Sequence, residues 1–392
     1  MARSPLSLAA LATVAIPRLD VVDARAARPS GGDVDSAVVI DAAGRRWVVR
    51  APRSSAAGAA LEAEVALLSR LMEHVDADRL PFDVPRPVGF APLPEGGRAV
   101  VHPQLKGRPL ALELLGPGPG LAAQVGRAIG ALHELPEQTV EDAGLPVYEA
   151  EAYRQRRLSE VDEAARTGYV PAGLLRRWER ALEDVALWRF RPTVVHGDLS
   201  SEQVLCSREA PTGILGWSEA KVADPADDLA WLLVAAPQEA VDPIVEAYTL
   251  RRTETSDRHL VERAMLAGEL ALARWLLHGV RNDSAEVVDD ATAMLVELDE
   301  QTSAEEAPVV TAPGFASAGF SSAGSSLEED AAAADEPGPP SGSGPSHDPA
   351  PDGPEPDDST PEGSAPEGSA PEGSAPEALS PGDSLGEPQP RS

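Results

Sequence analysis

Every tryptophan and every tyrosine of this chain lies before residue 301, and that boundary limits what the sequence can fold into. Beyond it, residues 301–392 carry 18 Asp or Glu against the single basic Arg391. The stretch is rich in Pro, Gly, Ser and Ala and holds PEGSA three times in tandem over 361–375. So few apolar side chains cannot offset the backbone entropy of folding, and a polar five-residue repeat builds no solenoid. The composition predicts a disordered acidic tail over 301–392, acting as a solubilising extension or as an interaction spacer. It also accounts for much of the net charge of −31, because 1–300 hold 46 acidic and 32 basic residues, a balance of −14.

The first 300 residues are long enough for two packed lobes, and the hydrophobic pattern changes character between them. Ala37–Ile40 and Trp47–Arg50 are β-rich runs joined by the turn sequence Asp41–Gly44. A helix is predicted over Ala57–Met72, where Leu61, Val65, Leu68 and Met72 recur at helical spacing. Strand candidates follow at Pro87–Ala91 and Arg98–Gln104. From Leu121 the chain reads as helical, with an apolar stripe at Leu121, Val125, Ile129 and Leu132 and further helices at Pro171–Trp188, Pro225–Val234, Gln238–Leu250, Leu260–His278 and Ser284–Glu300. These patterns predict an α+β fold with a small β-rich lobe over 1–105, a large helical lobe over 106–300 and Lys106–Pro109 as the hinge.

Cys206 is the only cysteine, which excludes intramolecular disulfides and any cysteine-based metal site. The apolar run Leu6–Ile16 after Arg3 is too short to span a bilayer, and is read as a helix packing on the small lobe rather than a signal peptide. Nothing basic or interleaved with aromatics points to nucleic acid, nothing else points to a membrane, and the expected setting is cytoplasmic.

The chemistry-bearing residues concentrate in HGDLSSEQVL (196–205) and LGWSEAKVADPADDLAW (215–231). These two segments, with GRAIGALHELP (126–136) and the basic strand WVVRAP around Arg50, resemble the aminoglycoside and macrolide antibiotic phosphotransferases, with Trp217–Ala220 and Asp224-Pro225 closer to the macrolide enzymes. The resemblance covers about residues 1–300 and implies a protein-kinase-like two-lobe fold. It also implies ATP or GTP as co-substrate, magnesium at the phosphates and a small-molecule acceptor. Carried over residue by residue, it makes Asp198 the catalytic base, His196 and Asp228 structural supports, and Arg50 the cation at the nucleotide phosphates. Glu64 is the helix partner of Arg50, with Glu62 as the alternative, and the backbone of Val101 and His102 holds the base.

The chain departs from that pattern at the metal. Gln203 stands where the family has Asn, and Gly216 where it has a metal-binding Asp. Gln203 keeps a carbonyl oxygen one methylene further out, and Glu202, Glu219 and Asp224 are the candidate substitute carboxylates, Glu219 or Asp224 first. Asp224 has a competing role as the cap of the helix starting at Pro225. Two functions are therefore expected: phosphoryl transfer to a small molecule, or a pseudokinase that binds a nucleotide or small ligand without turnover. Neither a GxxxxGK[ST] loop nor a kinase-type GxGxxG is present, which excludes P-loop chemistry.

Overall fold

The computed structural model describes residues 2–27, 33–253 and 257–306. The expected tail from 307 onward lies outside the described residues. The N-terminal run forms α1 (Pro5–Ala15), started by Ser4, whose hydroxyl accepts the Ser7 N–H, with Pro5 in the first turn where no amide donor is needed. Next come β1 (Val21–Ala26), β2 (Val34–Asp41), β3 (Arg46–Pro52), α2 (Ser55–Asp76), β4 (Gly89–Pro92) and β5 (Arg98–Pro103). The strands form one antiparallel sheet in the order β1-β2-β3-β5-β4.

Strand alternation divides that sheet into two faces. One face carries Ala37, Val39, Val49, Ala51, Ala99 and Val101, all buried with Leu8, Ala9 and Ala12 of α1. The expected N-terminal helix is thus a lid on the small lobe. The opposite face carries Arg50 and meets α2. The β2–β3 turn closes because the Asp41 carboxylate accepts the N–H groups of Ala43 and Arg45, while Gly44 adopts φ 75°. Edge strand β1 escaped the sequence pattern, since its half-exposed residues do not alternate.

The large lobe contains β6 (Arg108–Pro109), α3 (Leu121–Leu132), α4 (Gln138–Glu141), α5 (Ala150–Arg166), α6 (Ala172–Glu183), β7 (Thr193–Val195), β8 (Val204–Cys206), β9 (Pro211–Ile214) and β10 (Lys221–Ala223). It ends with α7 (Ala226–Ala235), α8 (Gln238–Arg251), α9 (Leu260–Arg281) and α10 (Ala285–Glu306). Helix α3 lies directly on α8, where a Cβ on Gly126 would sit 2.2 Å from the Ile244 carbonyl oxygen, so the close approach requires glycine. Cys206 is buried on β8, and burial pushes its thiol up to about 11, the behaviour of an inert core residue.

Two boundaries and one helix differ from expectation. Arg108 and Pro109 pair with Cys206 and Leu205, so they belong to the large-lobe sheet and the linker moves to Gln104–Gly107. Helix α10 continues to Glu306, past the composition break at 301. Helix α5 was missed because its buried stripe is Tyr153, Arg157, Val161 and Ala164, with an arginine where the apolar pattern needs a hydrophobe. Arg157 is tolerated there because Asp227 accepts from it at 2.9 Å and Glu160 at 2.7 Å. Among the described residues no helix is long and apolar enough to cross a membrane.

Candidate active site

Strand β7 delivers the chain into the HGD loop, and one buried carboxylate holds the loop's shape. Asp228, in the first turn of α7, accepts the backbone N–H of His196 at 2.7 Å and of Gly197 at 2.8 Å. It also receives the His133 Nε2–H at 3.1 Å, and the Tyr248 hydroxyl donates to His133 Nδ1 at 2.9 Å. Burial by itself would raise the Asp228 pKa, but the His133 hydrogen bond and the loop amides hold it below the usual carboxylate value. Gly197 has φ 82°, and a Cβ there would lie 2.3 Å from Lys221 Nζ and 2.4 Å from the Glu219 carbonyl oxygen. Only glycine fits this bend.

Both ring nitrogens of His196 are engaged by backbone groups. Its Nε2–H donates to the Leu215 carbonyl at 2.8 Å, which leaves Nδ1 to accept the Asp198 N–H at 3.3 Å. The ring lies against Trp217 with centroids 4.7 Å apart, and burial lowers its pKa, so the imidazole is neutral with both nitrogens engaged. Asp198 itself is exposed at the loop's tip. A cleft of about 480 Å³ opens beside this loop, between Arg108–Glu113 and Ser201–Glu202.

On the small lobe, Arg50 and Glu64 form a pair at 2.5 Å, with the Glu64 side chain only 1% exposed. The alternative, Glu62, is turned away and binds Arg98 at 2.6 Å. Arg50 projects from the β3 face opposite α1, and a guanidinium there can give a planar fork to phosphate oxygens.

The two expected base contacts, Val101 and His102, lie within β5. The Val101 carbonyl accepts the Val88 N–H at 2.9 Å, and Val101 pairs with Val49 and Gly89 in mid-sheet, so its backbone is already spent. His102 pairs with Val48, and its buried ring donates Nδ1–H to the Pro103 carbonyl at 2.9 Å. Burial pulls the His102 pKa down to about 4. Past the sheet, Gln104 still gives its N–H to the Arg46 carbonyl at 2.9 Å. Leu105 follows, between β5 and β6 and outside both strands.

The residues around Asp198 do not fit magnesium. This ion demands near-octahedral oxygen coordination, usually with one or two carboxylates. Asp224 is corrected as a ligand candidate: its two oxygens receive Arg263 Nε at 2.7 Å and Nη2 at 3.1 Å, deep in the lobe, while the Ala226 N–H completes the cap. Glu219 is exposed, and its backbone carbonyl, which accepts from Lys221 Nζ at 3.2 Å, is the part that lies against the loop. The Gln203 amide leans over Gly216, with Oε1 accepting from Ser200 Oγ at 3.2 Å and Nε2 donating to Asp198 Oδ2 at 3.3 Å. Among the described residues no group of three His, Cys, Asp or Glu could hold a metal ion.

Sequence reasoning passed over His133, Lys221 and Arg263. His133 lay inside the quoted GRAIGALHELP segment, but only the fold brings it to Asp228. Lys221 is one of two lysines, which was the one available signal.

The family described as phosphotransferase enzymes matches residues 26–263. An uncharacterised Bacillus subtilis protein, YcbJ, is 26% identical over 212 residues, which cover 51% of this chain and 66% of that protein. Among solved structures, a macrolide 2'-phosphotransferase type I is 26% identical with a TM-score of 0.62, covering 75% of this chain and 98% of that one. The apoenzyme of macrolide 2'-phosphotransferase MphH from Brachybacterium faecium is 23% identical with a TM-score of 0.62, covering 74% and 98%. The GDP complex of aminoglycoside 2'-phosphotransferase-IIIa is 19% identical with a TM-score of 0.64, covering 76% and 100%. With the family matched across more than half of its length and the kinase-like two-lobe fold shared with these enzymes, the chain belongs to the phosphotransferase enzyme family.

Proposed function

We propose that this chain transfers the γ-phosphoryl group of ATP or GTP to a hydroxyl of a small molecule, with a macrolide as the first candidate acceptor and an aminoglycoside as the second. The observation that carries the reading is Asp198, an exposed carboxylate on a loop whose backbone is clamped from beneath by buried Asp228. In this reading Asp198 takes the proton as the acceptor oxygen bonds to the γ-phosphorus and the bond to the β-phosphate oxygen breaks. Arg50, braced by Glu64, grips the α- and β-phosphates, and the Leu105 backbone meets the base. The acceptor enters beside the loop, near the cleft between Arg108–Glu113 and Ser201–Glu202.

Support for the acceptor class comes from the 26% identical macrolide 2'-phosphotransferase and from the Trp217–Ala220 segment. Support for the nucleotide comes from the GDP-bound aminoglycoside enzyme of the same fold. A setting in the cytoplasm supplies either nucleotide, and a lobe pair carrying −14 disfavours polyanionic partners such as nucleic acid. The second reading, nucleotide binding without turnover, is favoured by Gly216 and by the engagement of Gln203 with Asp198. The test offers wild-type protein a panel of macrolides and then aminoglycosides, with ATP and GTP separately, and follows the acceptor by mass spectrometry. Addition of a phosphoryl group to any of them upholds transfer; an unmodified panel with both nucleotides favours the second reading.

A further inference from the structure

We infer that this chain binds its nucleotide through fixed cationic side chains without a divalent ion, because Gln203 and Gly216 together plug the place beside Asp198 that a cation would take. The inference rests on the nucleotide site proposed above and concerns how that site handles charge.

The two departures from the family pattern touch each other. A Cβ on Gly216 would lie 3.0 Å from Gln203 Nε2 and 3.3 Å from its Cγ, so the longer glutamine occupies the volume a side chain at 216 would fill. Gly216 also sits at φ 82° and ψ 47°, a left-handed conformation that most side chains resist. Neither replacement is therefore independent: Gln203 fits because residue 216 lacks a side chain, and a side chain at 216 would displace Gln203.

The orientation of the Gln203 amide follows from its partners. An ionised carboxylate can only accept, so the group facing Asp198 Oδ2 at 3.3 Å must be the amide N–H. Its oxygen faces Ser200 Oγ at 3.2 Å. A hydrogen-bond donor thus points at Asp198 from the side where a cation would need oxygen ligands, and it satisfies part of the carboxylate's demand for positive charge. Of the nearby buried carboxylates, Asp224 is committed to Arg263 and Asp228 to the loop amides and His133.

Positive charge is supplied instead by the protein. Arg50 stands on β3 with one guanidinium nitrogen on Glu64, and the second oxygen of that buried carboxylate, Oε2, has no partner, so the pair holds Arg50 from a single contact. Lys221 adds an ammonium against Gly197, the residue before Asp198. An arginine clamp binds the bare polyphosphate at least as well as its magnesium complex, since a bound cation cancels part of the charge the clamp reads.

The experiment is calorimetric titration of the full chain with ATP and with GTP, in EDTA and in excess magnesium chloride. The inference expects equal affinity in the two media, or weaker binding with magnesium. In Gln203→Asn/Gly216→Asp, magnesium should tighten nucleotide binding about 10-fold or more, the effect of one regained charged ligand. Manganese titration followed by electron spin resonance gives a readout that needs no variant: wild type should leave the free-ion signal as nucleotide alone leaves it. Magnesium-dependent tightening of wild type by about 10-fold would overturn the inference while leaving the proposed function standing. A folded double variant with no magnesium response would overturn the plug. Absence of nucleotide binding in both media would overturn the nucleotide site itself, and the inference with it.

Discussion

On the small lobe, a strand arginine is paired with a buried helix glutamate, the charge pair proposed to meet a nucleotide's phosphates; at the HGD loop, Gln203 and Gly216, the positions where the resemblance implies metal ligands, lean on each other. The first site keeps a cation braced by a buried carboxylate, the pair proposed to meet phosphate. The second has changed in kind, since an amide N–H now addresses Asp198 where the family has a metal ligand set. The contrast teaches that two substitutions distant in sequence can be one structural change. It also separates the loop's shape, which Asp228 secures, from the loop's charge balance, which the plug alters.

Breaking the shape should produce the largest effect. Asp228→Ala leaves the N–H groups of His196, Gly197 and His133 unpaired in a fully buried site. Stability should fall by about 3–5 kcal/mol, seen as a lower denaturation midpoint, with any transfer activity lost. If stability is unchanged, the loop is not held by this carboxylate.

Acid probes the nucleotide side next. His102 has a folded pKa of about 4 against 6.5, so the unfolded chain takes up a proton first as pH falls. Its contribution is fully present above the unfolded value near 6.5 and is lost as pH drops toward 4, about 3 kcal/mol across the window. Buried His133 and His196 are lowered too and act in the same direction. Denaturation curves from pH 7 to 4 should show a shallower loss in His102→Gln than in wild type; identical slopes would contradict the burial argument.

Arg50→Ala sharpens the comparison itself. It should weaken nucleotide binding by about 10–100-fold, the cost of one or two charge-assisted hydrogen bonds, with little change in loop stability. Calorimetry would read the affinity and denaturation the fold. The smallest effect is expected from the tail: a chain cut after Glu306 should melt within about 2 °C of the full chain, because the removed composition offers no core to pack.

How much of this was readable beforehand depended on whether local pattern or distant contact decides the residue. The β2–β3 hairpin, α2, α3 and the last four helices follow from periodicity and turn chemistry, and the catalytic segment from motif alone. Arg50 and Glu64 were named as a pair, and the Glu62 alternative fell only when Arg98 was seen to claim it. Val101 and His102 lie in mid-sheet, and strand register, invisible in one sequence, decides which of their backbone groups are already paired. Asp224 read equally as cap or ligand until α9 supplied Arg263. Helix α5 hid behind a buried arginine whose compensation by Asp227 comes from another helix.

In the proposed function Asp198 performs proton transfer on a loop whose backbone is held by Asp228. Steady-state turnover of a phosphorylated acceptor, measured in wild type and Asp198→Asn beside nucleotide affinity, tests this most directly. The account predicts a fall of about 10²–10⁴-fold in kcat with nucleotide Kd nearly unchanged. Transfer that survives the substitution undiminished would contradict it.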